Sequence, residues 1–280
     1  MAAAVAMRLV PAARVPRAVA VIFSGIAVAT IVAVPLGSYL GELAGWRSTF
    51  LAAAALGVVT LMFQMCALPR MAPQSPARLG TLWEVLRRPG FGLGLIGMLL
   101  VHVGHYALFT FVRPALETIV GVGSDQLALL LLVFGVANFV GTLVAGWLLE
   151  VSLRLTLTLT PVLMGLAALG LALLPIGRAW YVVLVVFWGL AFGGVSVAWS
   201  NWSTRMVPDQ AESAGGLVVV GVQSAVAGGA AAGGGLFGLG GVVTVFVVSG
   251  VVLLASALLI ALRVEAPRHG TAGDGLRRAA

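Results

Sequence analysis

The sequence predicts an all-α membrane protein. Of its 280 residues, 61% are hydrophobic and only 9% are charged, whereas a soluble domain carries about 25% charged residues. Eight apolar runs follow one another, each long enough to cross about 30 Å of hydrocarbon. Arginines also concentrate in every second loop between these runs. Together the three observations indicate a chain that crosses a membrane several times.

The eight predicted spans are uncharged or nearly so and are separated by short polar or glycine-containing turns. They are Ala18–Leu40, Ser48–Leu68, Phe91–Val112, Gln126–Leu149, Leu155–Leu174, Tyr181–Trp202, Gly215–Leu236 and Val242–Leu262. The last two form one continuous apolar stretch. We divide it at residues 237–241, Phe-Gly-Leu-Gly-Gly, because clustered glycines are a strong turn signal.

Arginine placement predicts the orientation. All 16 basic residues are arginines, and only Arg47, Arg113 and Arg178 fall on the side opposite the termini. Cytoplasmic loops carry the excess of positive charge, so both termini are expected in the cytoplasm. The net charge of +7 does not indicate a nucleic-acid partner, because the arginines are dispersed between apolar runs. Cys66 is the single cysteine, which excludes an intramolecular disulfide and a cysteine metal cluster.

One predicted loop, Pro69–Pro89, is longer than the others and contains four arginines. Leu79, Leu82, Trp83 and Leu86 recur within it at helical spacing. This pattern predicts a short amphipathic helix lying on the cytoplasmic membrane surface.

The stretch from Gly25 to Phe50 places glycines and a proline in a spanning helix. Such residues allow close helix packing or a bend. The stretch resembles the fifth helix and following loop of major facilitator superfamily transporters, most closely the drug:proton antiporter branch that includes bacterial sugar and multidrug efflux permeases. Gly25, Pro35 and Gly37 match the antiporter motif of that helix, while Ala33 and Ser38 stand where glycine is common.

A second match begins at Gly146 and resembles the second-half copy of the family's signature loop. Gly146, Leu148 and Arg154 fit this motif, whereas Glu150 replaces its aspartate and Leu153 its glycine. A carboxylate and an arginine at neighbouring helix ends can hold one conformation, although an ordinary charged loop end fits equally well. Arg205 to Asp209 weakly resembles the family's loop after the tenth helix.

The resemblance implies a major facilitator-type helical bundle with eight full transmembrane helices and an N-terminal stub of a ninth. Residues 1–68 would be a remnant of the N-terminal six-helix bundle, 69–89 a cytoplasmic linker, 90–264 the C-terminal six-helix bundle and 265–280 a cytoplasmic tail. On this alignment the chain begins inside the family's fourth helix, so we expect an N-terminally truncated member.

The function implied by the resemblance is efflux of a small organic solute, sugar or drug-like. It would proceed by proton antiport with alternating access in a bacterial inner membrane. The protein would be a monomer that uses no cofactor, and no catalytic set or metal signature indicates an enzyme. The alternative is a truncated membrane fragment that does not transport.

Two helices carry most of the candidate substrate-binding residues. His102, His105, Tyr106, Phe109 and Arg113 share one helical face. This face either lines the cavity, with one histidine sensing protons, or makes interhelical hydrogen bonds. On a later span the candidates are Trp188, Ser196 and Trp199, with Ser200 and Ser203. The alternative for its tryptophans is an interfacial aromatic belt, which fits Trp202 better than Trp188.

Two further candidates, Asn138 and Gln223, are lone amides in apolar spans. They bind either a neighbouring helix or the ligand. Small residues recur every four positions at Gly221, Ala225, Gly229 and Gly233, a pattern that predicts a helix-packing face.

Overall fold

The computed structural model describes residues 25, 28–29, 32–33, 36–37, 39–67, 79–121, 123–174 and 177–264. Eight α-helices account for most of the described chain. They are α1 (Trp46–Ala67), α2 (Leu79–Leu86), α3 (Phe91–Thr110), α4 (Val112–Ala115), α5 (Ser124–Val151), α6 (Leu153–Leu173), α7 (Arg178–Met206) and α8 (Ala211–Arg263). A π-helical turn (Leu116–Val120) follows α4, and a 3₁₀ turn (Pro208–Gln210) joins α7 to α8.

Among the described residues, six helices are long and apolar enough to cross a membrane. Five of them, α1, α3, α5, α6 and α7, coincide with predicted spans. The sixth, α8, has 53 residues and is long enough to cross twice at about 1.5 Å per residue. Most of the predicted Ala18–Leu40 span, including Pro35, lies outside the described residues.

The predicted break between the last two spans is confirmed. Gly240 (φ −156°, ψ 23°) and Gly241 (φ 68°, ψ −167°) leave helical geometry and divide α8 into two segments. A positive φ of this kind is accessible to glycine and strained for other residues. Thr244 Oγ1 donates a 2.9 Å hydrogen bond to the Gly240 carbonyl at the start of the second segment. The glycines therefore permit two spans to join without an intervening loop.

The small-residue stripe of α8 packs against α3, as the sequence predicts. A Cβ at Gly229 would lie 2.7 Å from the Val103 carbonyl oxygen, and a Cβ at Gly233 2.9 Å from the Phe111 ring. Ala225, four residues before Gly229 on the same stripe, is buried. Because lipid supplies no hydrophobic drive between helices, such close contact is the main source of their attraction.

An even closer contact joins α5 and α7. A Cβ at Gly141 would lie 2.0 Å from the Leu190 carbonyl oxygen, and one at Gly193 the same distance from the Asn138 carbonyl oxygen. The two helices thus touch backbone to backbone. Helix α6 packs against both α7 and α8, which closes the bundle.

Helix α2 forms where the amphipathic pattern predicts it, but the buried residue was not expected. Val85 is fully buried, whereas Trp83 is 55% exposed. The helix contacts α3 and α8. The residue of α2 that packs into the bundle is therefore Val85, which lies outside the predicted apolar stripe. Trp83 faces away from the bundle.

Helix α1 contains no buried residue. It is connected to the helical residues before it through Gly45, which has a φ of 79°. Ser48 Oγ donates hydrogen bonds to the carbonyls of Leu40 (3.0 Å) and Gly45 (2.7 Å). Thr49 Oγ1 donates to the Gly37 carbonyl at 3.1 Å. These bonds tie the start of α1 to the helical residues that precede it.

Candidate functional site

An aromatic cluster surrounds His105 where α3, α5 and α7 meet. Its rings belong to His105, Tyr106, Phe109, Phe134, Trp188 and Phe192, and each of the other five has its centroid within 6.5 Å of the His105 ring. Phe134 lies on α5, and Trp188 and Phe192 lie on α7. The close backbone contact of α5 and α7 places their rings beside α3. We call this set the His105 cluster.

His105 is held in one orientation by two neighbours. The Trp188 indole Nε1–H donates a 3.1 Å hydrogen bond to His105 Nδ1. The Phe192 ring lies parallel to the imidazole, with 3.4 Å between centroids and a 7° interplanar angle. Both His105 and Trp188 are almost fully buried. The indole can only donate, so His105 Nδ1 must be the acceptor and the ring proton of the neutral form sits on Nε2.

His102, one turn earlier on α3, takes the opposite tautomer. Its Nδ1 lies 2.8 Å from the Met98 carbonyl oxygen, which can only accept, so Nδ1 carries the proton. A further proton on His102 would bind Nε2 and leave this bond intact. A further proton on His105 would bind Nδ1 and break the bond from Trp188. The two histidines therefore differ in what protonation does to their surroundings.

The His105 cluster has a buried layer and an accessible layer. His105, Phe134 and Trp188 are buried, while Tyr106, Phe109 and Phe192 are half-buried. The Tyr106 and Phe192 rings meet nearly at right angles, 85° apart with centroids separated by 6.2 Å. A flat ligand lying on one ring would therefore present its edge to the other, an arrangement that aromatic pairs favour.

The other predicted residues of α7 lie in different environments. Trp199 is buried in the core, where its ring meets the Trp202 ring edge-on with centroids 5.2 Å apart. Trp202 is fully buried and stacks on Phe91, so the interfacial-belt interpretation of Trp202 is wrong. Gly94 of α3 leaves the space that the Trp202 ring fills. Ser196 and Ser200 are exposed, whereas Ser203 is buried.

The remaining predicted binding residues do not join the His105 cluster. Arg113 is exposed and donates from Nε to Glu117 Oε1 at 2.9 Å, one turn later. Gln223 is exposed on α8. Asn138 is half-buried on α5, at the point where its carbonyl meets Gly193.

The predicted motif residues occupy helix ends and exposed faces. Gly146 and Glu150 are exposed on α5. Arg154, at the start of α6, donates a hydrogen bond to the Ala261 carbonyl near the end of α8. A cation beside the last carbonyls of a helix is favourable, so the arginine joins two helix ends without using Glu150. Gly25 is exposed and helical, and Gly37 is half-buried.

Sequence reasoning did not find two parts of this region. Phe134 and Phe192 enter the His105 cluster only through the packing of three helices. A second omission is the bidentate ion pair between Arg88, before α3, and Asp209, after α7. The Arg88 guanidinium beside Asp209 holds the pKa of that carboxyl below its usual range. The sequence indicates this ion pair only through Asp209, which ends the stretch that weakly resembles the family's loop after the tenth helix.

No group of three His, Cys, Asp or Glu side chains within the described ranges could hold a metal ion. The chemistry that the cluster offers is therefore aromatic stacking, hydrogen bonding and proton binding at imidazole. An aromatic site between the spans of a helical bundle suits the binding of a small flat ligand.

Comparison with known proteins gives the family. The family model described as Major Facilitator Superfamily matches residues 1–230. This chain therefore belongs to the major facilitator superfamily, a family of membrane transporters and not of enzymes.

Several relatives are named efflux pumps. The purine ribonucleoside efflux pump NepI of Salmonella enteritidis PT4 is 39% identical over 265 residues, which cover 95% of this chain and 67% of that protein. The proteins of the same name in Shigella dysenteriae serotype 1 and Escherichia coli O157:H7 are 38% and 39% identical over the same coverage. Efflux transport is thus the activity assigned to its relatives.

A solved structure agrees with the fold. The crystal structure of a bacterial homologue of the human lysosomal transporter Spinster, inward-facing and unoccupied, superposes with a TM-score of 0.54. The match covers 94% of this chain and 72% of that one at 14% sequence identity.

Proposed function

We propose that this chain belongs to an efflux system for purine ribonucleosides, with the His105 cluster as the base-binding part of the substrate site. The observation that carries the proposal is the convergence of six aromatic rings from three helices. Relatives named purine ribonucleoside efflux pumps support the substrate class. The sequence alone favours a sugar or drug-like solute, and a nucleoside combines a sugar with a flat aromatic base.

The half-buried rings of Tyr106, Phe109 and Phe192 are the part of the cluster that a ligand can reach. Stacking a base on an aromatic side chain contributes roughly 1–3 kcal/mol. Ser196 is exposed one helical turn after Phe192, which suits it to a ribose hydroxyl. We assign Asn138, Gln223 and Arg113 supporting polar contacts during the transport cycle, and Trp199 a structural role in the core.

The tautomer of His105 supports proton antiport as part of this proposal. A proton arriving at Nδ1 would place two donors, imidazolium N–H and indole N–H, against each other, because Trp188 already donates to that atom. Trp188 would have to withdraw, and the rings that stack on the base would move with it. Proton binding and nucleoside release would thus be coupled through one hydrogen bond.

The membrane arrangement is part of the same proposal. Both termini lie in the cytoplasm, as the arginine asymmetry indicates, and the membrane is a bacterial inner membrane. Residues 90–264 form the C-terminal bundle, and residues 1–68 belong to the N-terminal half. Alternating access moves one half against the other, with the protein acting as a monomer. Gly25, Pro35 and Gly37 contribute to packing between the two halves. Gly146, Glu150 and Arg154 stabilise one conformation of the transport cycle.

The test is nucleoside binding and transport by the purified full chain in proteoliposomes. Phe192→Leu keeps an apolar side chain but removes the aromatic face. We expect the Kd for inosine or adenosine to rise about tenfold, which corresponds to about 1.4 kcal/mol. The matched control is Phe187→Leu, on the same helix but 48% exposed. This variant should bind like the unchanged chain.

Equal affinity in the two leucine variants would refute the role of the His105 cluster. Tight binding of a sugar or a drug with no binding of nucleosides would refute the substrate class. Nucleoside binding without counterflow, at normal expression and correct folding, would favour the alternative of a membrane protein that binds but does not transport.

A further inference from the structure

Helix α2 presents an exposed cation–aromatic pair on the side opposite its buried residue. Val85 is fully buried and Trp83 is 55% exposed. Arg87 directly follows the last residue of α2, and its backbone N–H still donates to the Trp83 carbonyl at 3.1 Å, as in a helix. Trp83 and Arg87 are each two residues from Val85, so at about 100° per residue they point roughly 160° away from it. The Arg87 guanidinium carbon lies 4.6 Å from the Trp83 ring centroid, over its face.

The rotation of α2 is fixed by contacts at its C-terminal end. Val85 docks on the bundle, and Arg88, immediately after Arg87, pairs with Asp209 through both guanidinium nitrogens. The Arg88 backbone N–H also donates to the Val85 carbonyl at 3.1 Å. Because these contacts hold one face against the protein, Trp83 and Arg87 are held outward.

The position of α2 along the chain places this pair at the membrane surface. It lies between α1 and α3, two helices of spanning length and hydropathy. Tryptophan side chains concentrate at membrane–water interfaces, and guanidinium groups bind phosphate through paired hydrogen bonds. Residues 69–89 contain four arginines and one glutamate. Arg88 is committed to Asp209, whereas Arg87 has no carboxylate partner among the described residues.

We propose that α2 binds the head group of an anionic phospholipid, with Trp83 at the level of the glycerol backbone and Arg87 on the phosphate. The excess positive charge of residues 69–89 selects anionic over zwitterionic lipid. The site is separate from the His105 cluster, and the proposal does not depend on the transported solute.

Brominated lipids provide a direct test, because they quench tryptophan fluorescence only on contact. The full chain is reconstituted into vesicles containing brominated phosphatidylglycerol or brominated phosphatidylcholine. The chain has seven tryptophans, so the Trp83 signal is taken as the difference between the unchanged protein and Trp83→Phe. From the dependence of Trp83 quenching on lipid composition, we expect about five-fold stronger binding to the anionic lipid than to the zwitterionic lipid. One basic residue near a charged surface provides a preference of about this size. Arg87→Gln should abolish this preference.

The chain offers a matched control in Trp46 and Arg47. This pair is also exposed, with Trp46 63% accessible and the Arg47 guanidinium carbon 4.7 Å from its ring centroid. Its surroundings carry no excess charge, because Glu42 accompanies Arg47. The signal from Trp46, isolated with Trp46→Phe, should be quenched equally by both lipids.

Three outcomes would overturn the proposal. Quenching of Trp83 by aqueous acrylamide but by neither lipid would place the pair in bulk water. Protection from acrylamide and from both lipids would place another part of this chain over it. Equal quenching by the two lipids, unchanged in Arg87→Gln, would show membrane contact without head-group selection. All substituted side chains are exposed, and circular dichroism verifies that the variants remain folded.

Discussion

Replacing Gly141 with alanine tests whether backbone contact between α5 and α7 organises the site. The new Cβ would lie 2.0 Å from the Leu190 carbonyl oxygen. An ordinary contact requires about 3.4 Å, so the helices must separate by roughly 1.4 Å or rotate. Neither atom is the end of a flexible side chain, and the strain cannot be relieved by a rotamer change. Overpacking of this kind costs about 1–3 kcal/mol.

The matched control is Gly146→Ala on the same helix, where the new Cβ has no atom within 4 Å. Alanine favours a helix over glycine by roughly 0.5–1 kcal/mol at either position, and this gain cancels in the comparison. Unfolding in mixed micelles of mild detergent and dodecyl sulfate, followed by circular dichroism, measures both variants. We expect Gly141→Ala to unfold at lower dodecyl sulfate and Gly146→Ala at equal or higher dodecyl sulfate than the unchanged chain.

The same substitution should weaken nucleoside binding, because Leu190 lies between Trp188 and Phe192 on α7. Separation of the helices would move both rings away from Phe134, whose centroid is 5.0 Å from that of Trp188. If Gly141→Ala unfolds at the same midpoint as Gly146→Ala and binds nucleoside as tightly as the unchanged chain, the close contact does not organise the cluster.

Two other predictions concern the bundle ends and its second close contact. The pKa of Asp209 is lowered, so its ion pair with Arg88 stabilises the fold at pH values above the ordinary pKa of an aspartate carboxyl. This stabilisation is lost as the pH falls through the lowered pKa. Asp209→Asn should therefore reduce Tm at neutral pH and converge with the unchanged chain in acid; a constant Tm difference at every pH would contradict this. Gly229→Ala should destabilise the α3–α8 contact, since the new Cβ would lie 2.7 Å from the Val103 carbonyl oxygen. The control is Gly228→Ala, whose Cβ has no atom within 4 Å. Equal dodecyl sulfate midpoints for the two variants would contradict this prediction.

Much of the fold could be predicted from the sequence because hydropathy is a local property. The spans from residue 46 onward follow from runs of apolar residues. The break at Gly240 and Gly241 is predicted because clustered glycines allow backbone angles that few other residues adopt. The packing stripe through Gly229 was also readable, because small residues every four positions lie on one helical face.

The site was less predictable because it depends on which faces meet. His105, Tyr106 and Trp188 were identified as polar or aromatic residues in apolar spans, but Phe134 and Phe192 look like ordinary apolar residues until α5 and α7 are brought together. Trp202 and Val85 show the same limit, since amphipathic spacing does not reveal which residue a neighbour will cover.

The Arg88–Asp209 pair joins residues 121 positions apart. No helical period connects them, and Asp209 could equally have remained a solvated loop residue. Long-range ion pairs of this kind are decided by the ends of helices that pack together, which the local sequence does not contain.

The glycine contacts also constrain how the bundle can deform. Where side chains interdigitate, two helices can slide by exchanging rotamers. At Gly141 and Gly193 there is no such layer, because the carbonyl oxygens of the opposing helix occupy the space that a Cβ would need. Helices α5 and α7 should therefore travel as one rigid body in any shape change, and the α3–α8 pair joined at Gly229 as another. Relative motion within the bundle must then be absorbed between these two pairs, where His105 and Tyr106 of one face Trp188 and Phe192 of the other.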